Sequence, residues 1–174
     1  MNPILAYAGE AHFFSNEHLH VLLNHLPVIG LAFGVAALGL ALLMKSRPAQ
    51  IIGLLLVLGA AASVWAVNTT GQNAYKPIRG LADDEGVKWL DTHMERAENF
   101  APLFYTLAAL AAAALLAPRK WPRSATPLAI ATLALGALCM GASGWIADAG
   151  GKIRHPEFRG EPPPSGEEAA PHSH

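Results

Sequence analysis

Residues 51–73 read IIGLLLVLGAAASVWAVNTTGQN, 23 positions without a charged side chain. Three more such runs occur: 26–44 over 19 residues, 100–118 over 19 and 124–147 over 24. An α-helix rises about 1.5 Å per residue, so about 20 residues cross the hydrocarbon of a bilayer. Helices are favoured there because lipid cannot satisfy free backbone groups. The runs predict four transmembrane helices, at 19–45, 50–70, 94–117 and 124–147. A soluble bundle would need a polar face on each helix. LLLVL at 54–58 and AALAAAALL at 108–116 have none.

The chain has 174 residues, of which 52% are hydrophobic and 14% charged. Soluble domains carry about 25% charge. The deficit excludes a disordered protein, a nucleic-acid binder and most soluble enzymes. A net charge of -1 gives no field that would gather a polyanion. The single Cys139 excludes a disulfide framework and multi-cysteine metal or iron–sulfur sites. It reads as a packing residue, as does Met140. Residues 1–17 lack the basic start of a standard signal peptide and read as an outer N-terminal segment. Residues 18–159 form the four-helix transmembrane domain. The stretch 160–174, rich in Pro, Gly, Glu and Ala, reads as a disordered tail. No internal repeat of 20–50 residues is visible.

Charge sets the expected orientation. Lys45 and Arg47 lie in the first short link, and Arg119, Lys120 and Arg123 in the third, with no acid in either. The positive-inside rule puts both links in the cytoplasm. The expected architecture is an all-α, integral membrane four-helix bundle, multi-pass in a bacterial inner membrane. Both termini and the long link 69–93 face the periplasmic side.

All 8 histidines fall on that outer side or at its membrane edge: His12, His18, His20, His25, His93, His155, His172 and His174. Counting about 20 residues outward from the basic links predicts one polar layer of His25, Asn68, Asn99 and Ser143. A second layer, about 10 Å further out, holds His18, Tyr75, His93 and Ala149–Gly151. His18 and His25, seven apart, share a helix face, and His20 points elsewhere. Pro27 cannot donate to the carbonyl of Leu23, so the first helix is irregular there. Gly150-Gly151 is expected to end helix four, letting His155 fold back over the bundle.

Histidines held between small residues suit b-type heme, which needs no cysteine attachment. Gly30 and Gly34 supply a small-xxx-small packing pair. Level matching pairs His18 with His93, and His25 with His155, for one or two hemes; His25 with His93 is the single-heme alternative. Arg96 and Arg154 suit the propionates, or else pair with Glu98 and Glu157. His25 could instead hydrogen-bond Asn68 or Asn99. A non-heme metal held by His18, His25, His93 and His155 is a second reading. A cofactor-free structural subunit of a membrane complex is a third. Transport is disfavoured because the polar candidates near the midplane are only Ser63, Thr106 and Thr132, which their own helix backbones can satisfy.

His18-Leu-His20 followed by Leu22-Leu-Asn24-His25-Leu-Pro27-Val28 resembles the opening helix of a family of small four-span bacterial membrane proteins. Most of its members are recorded only as domains of unknown function. Gly150-Gly151-Lys-Ile-Arg154-His155-Pro-Glu157 resembles that family's closing motif, and His93 with Arg96-Ala-Glu98 the start of its third helix. The resemblance spans about residues 16–159. It implies the four-span architecture, a heme-binding role, and weight on His18, His20, His25, His93, Arg154 and His155. Better-known diheme cytochromes have histidines near both membrane faces; this chain has them at one. The combined expectation is an electron-transfer subunit rather than a stand-alone enzyme. Its expected partners are the lipid bilayer, a quinol or periplasmic redox protein, and other membrane-complex subunits.

Overall fold

The computed structural model describes residues 14–160, and its secondary structure is helical. Four helices are long and apolar enough to cross a membrane: α1 (Asn16–Leu43), α2 (Arg47–Arg79), α3 (Asp84–Arg119) and α4 (Pro122–Arg154). Each packs on its neighbours in chain order, and α1 also packs on α4, which closes a four-membered bundle. Residues such as Phe33, Ile52, Leu55, Ile130 and Leu138 remain exposed on its outside. Apolar side chains that point away from the core are what lipid contact requires.

The local chemistry explains the ends. Ser15 caps α1 by accepting from the His18 amide, and Ser46 caps α2 by accepting from Ala49. Asp83 caps α3, its Oδ1 accepting from the Gly86 amide at 2.6 Å. Lys45 takes a φ of 51° in the turn after α1, the left-handed position that commonly closes a helix. As expected from Pro27, α1 is irregular, with a π-turn over Leu26–Gly30. The Pro27 carbonyl there accepts from the buried Ser143 hydroxyl of α4 at 3.0 Å, tying the two helices at one level.

Two expectations are corrected. The long link at 69–93 reduces to 80–83, because α2 runs on to Arg79 and α3 starts at Asp84. Tyr75, Ile78 and Ala82 pack there with Trp89, Leu90, Ala149 and Ile153, an apolar core that holds both extensions helical. Tyr75 also donates to Asp91 at 2.6 Å, and Arg79 bridges Asp91 at 2.8 Å. Nor does Gly150-Gly151 end α4, which continues to Arg154. The end is capped by Arg159, whose guanidinium donates to the carbonyls of Lys152 and Ile153 and pairs with Asp83.

The two hairpins repeat one design. Leu31, Gly34, Leu38 and Ala41 are buried in α1; Phe104, Leu107, Ala111 and Ala114, each 73 positions later, are buried in α3. Gly53, Val57, Ala60, Val64, Thr70 and Ala74 are buried in α2. Their counterparts 79 positions later in α4 are Thr132, Gly136, Cys139, Ser143, Ala149 and Ile153, also buried. The repeat lies in which positions are buried, not in residue identity. It is longer than the 20–50-residue periods absent from the sequence.

Candidate functional site

The repeat brings two histidines together. His20 of α1 and His93 of α3 are 73 positions apart, and their ring centroids stand 6.2 Å from one another at 84°. His20 Nδ1 lies 3.0 Å from the Val67 carbonyl of α2, and His93 Nδ1 lies 2.9 Å from the Ile146 carbonyl of α4. A carbonyl only accepts, so each Nδ1 carries the proton and donates it. In the neutral ring the lone pair is then on Nε2.

Four residues beyond each carbonyl stands a glycine. A Cβ built on Gly71 would meet His20 Cε1 at 2.9 Å, and one on Gly150 would meet His93 Cε1 at 3.1 Å. Both rings therefore lie directly against a neighbouring helix backbone. In both, Nε2 is the ring nitrogen farther from the glycine. The second Gly of the closing motif thus sits next to a glycine that seats a ring inside α4.

The structure places the other expected residues elsewhere. His18 and His25 do share a face, but it is the exposed one. His25 Nδ1 bonds the Val21 carbonyl at 2.8 Å in its own helix, and neither Asn68 nor Asn99 is its partner in that bond. His155 is exposed, paired with Glu157 at 2.9 Å and stacked on Phe158. The expected pairings of His18 with His93 and of His25 with His155 are therefore replaced by His20 with His93. The physical reason is helix phase: positions 18 and 20 lie about 200° apart, and only 20 continues the buried line of α1.

Arg96 does not pair with Glu98; it stacks on Trp145 at 3.9 Å and donates to the Trp145 carbonyl at 2.8 Å. Arg154 is exposed at the end of α4. Cys139 is a buried free thiol in the core. His12, His172 and His174 lie outside the described residues. Among the described residues, no three His, Cys, Asp or Glu side chains converge as a metal-binding group.

The residues missed in the sequence are Arg159 and Gly71. Gly71 stands at a turn's distance from Val67, but nothing in the sequence says which helix His20 meets.

Comparison with protein-family models, with curated proteins and with solved structures finds no match.

Proposed function

We propose that this chain is a membrane-bound, b-type cytochrome-like electron-transfer subunit whose heme is held between His20 and His93. One observation carries the reading: two imidazoles from equivalent helices stand 6.2 Å apart, each anchored through Nδ1. Two imidazoles this close, each with its proton held at Nδ1, would leave both Nε2 atoms free to serve as ligands to one metal.

Donation from Nδ1–H to a carbonyl fixes the tautomer and orientation of a ligating ring and raises its basicity. The Val67 and Ile146 carbonyls supply this, and Gly71 and Gly150 give the rings room. A bare zinc, copper or iron ion would need further protein ligands. Heme brings four nitrogens of its own, so two histidines suffice. When bound, it supplies one-electron exchange. Placement at one end of the bundle favours exchange with a partner at that face, a quinol or a soluble redox protein. The basic short links favour an inner-membrane orientation with the histidine end in the periplasm.

The test is a reduced-minus-oxidised absorption spectrum of heme-replete, detergent-purified protein. His20→Ala and His93→Ala should each abolish the two-histidine low-spin signal. His18→Ala, His25→Ala and His155→Ala should keep it. A full spectrum in His93→Ala or His20→Ala overturns the assignment.

A further inference from the structure

Trp89 is 3% exposed, yet its indole Nε1–H has no hydrogen-bond partner. It is the sole buried side-chain nitrogen or oxygen so placed among the described residues. Buried donors are nearly always paired, so the exception requires an explanation. Trp89 precedes His93 by four residues in α3, so it occupies the same face one turn nearer the end of the bundle. Over its ring, 4.5 Å from the centroid, stands the Lys152 ammonium. Lys152 follows by two residues the glycine that seats His93, and its side chain is 16% exposed. Asp148 takes one of its hydrogen bonds at 2.8 Å; an ammonium has three to give.

The unpaired indole N–H and the ammonium over the same ring, one turn beyond the histidine pair, are two donors for an anionic oxygen. We infer that Trp89 and Lys152 anchor a carboxylate of the cofactor held by His20 and His93. The inference rests on the heme reading, since a b-type heme carries two propionates on one edge. It sets the direction of that edge: toward the end of the bundle, beside α3 and α4. A phospholipid phosphate presents the same anionic-oxygen chemistry from a different source.

The test is reconstitution of the full-length apo-protein with protoheme and with its dimethyl ester, in which both carboxylates are neutral. Wild type should bind protoheme about tenfold or more tightly, the worth of one charge-assisted hydrogen bond. Trp89→Phe keeps the ring but removes the N–H. Lys152→Met keeps the stem but removes the charge. Each should cut the preference to a few-fold while leaving the low-spin, two-histidine spectrum intact. Circular dichroism identifies a variant that does not fold, and the other variant then carries the test. Equal binding of acid and ester by wild type overturns the anchor and leaves the heme reading standing. So does a full preference in both folded variants. Equal binding together with phospholipid phosphorus that is lost in Trp89→Phe assigns the donor to lipid and also overturns it. Failure of wild type to bind either porphyrin sinks the heme reading itself.

Discussion

Gly150 packs against His93 so closely that a Cβ on the glycine would lie 3.1 Å from the ring Cε1 and Nδ1. Gly71 stands in the same relation to His20, at 2.9 Å. A methyl at either place presses on the ring edge next to the anchoring Nδ1, so the imidazole must shift. If the pair holds heme as proposed, Gly71→Ala and Gly150→Ala should therefore shift or split its low-spin signal, with Val in place of Ala abolishing it. Gly141→Ala and Gly144→Ala, where a Cβ meets nothing within 4 Å, should leave the spectrum unchanged. An undisturbed spectrum in Gly71→Val would show that ring seating does not matter.

Ser143→Ala removes the donor to the Pro27 carbonyl at the π-turn of α1. The carbonyl then loses that donor inside the bundle, at a cost of about 1 kcal/mol. The expected outcome is earlier unfolding in a denaturing-detergent titration, and Ser143→Cys should recover little of it. Wild-type stability in Ser143→Ala would mean that the π-turn satisfies its own carbonyls.

Asp83 joins the start of α3 to the segment after α4. The Arg159 guanidinium, with the Gly86 amide, holds its carboxyl below the ordinary value of 3.8. A carboxyl depressed in the folded state stabilises that state at pH above its unfolded value. The contribution is lost as pH falls through the lower folded value. Amide-exchange protection at Gly86 and Val87 should thus be flat from pH 7 to about 5 and fall below about pH 4. Asp83→Asn should show reduced protection and no such fall. A fall of equal size in that variant would assign the titration to another group.

A reporter fused after Lys45 should behave as cytoplasmic, because the two short links carry five basic residues and no acid. A reporter fused after Arg159 should behave as periplasmic. A reversed pattern would move the His20–His93 pair to the opposite side of the membrane.

The number of long apolar helices and the positions of the short links were legible because uncharged runs of about 20 residues leave few choices. Helix phase was not. A membrane helix is apolar all round, so polarity does not mark its inner face. Small residues mark it better. Counting back from Ala41, Leu38, Gly34 and Leu31 in steps of three and four reaches Pro27, Asn24 and His20. Taking the conspicuous His25 as the inward reference put His18 on the inner face and turned His20 away from it, whereas His20 is the one found against α2. The paired site was less legible still, because the contacts of His20 and His93 come from α2 and α4, 47 and 53 residues away. The α4 terminus was misread because Gly-Gly usually stops a helix; here Arg159 caps it from beyond and Gly150 is needed against a ring.

The recurrence of one burial pattern in both hairpins means that half the chain already contains the plan of the whole. A single helical hairpin pairing with a second copy of itself would bring one histidine from each copy face to face on its symmetry axis. Such a dimer would present two chemically identical ligands to whatever lay between them. Joined in one polypeptide, the halves are free to diverge. Trp89 and Arg96 sit beside His93, whereas the positions 73 earlier hold Asn16 and Leu23. The two sides of the site can then differ in polarity, so a cofactor that would fit a symmetric dimer in either of two orientations is given only one.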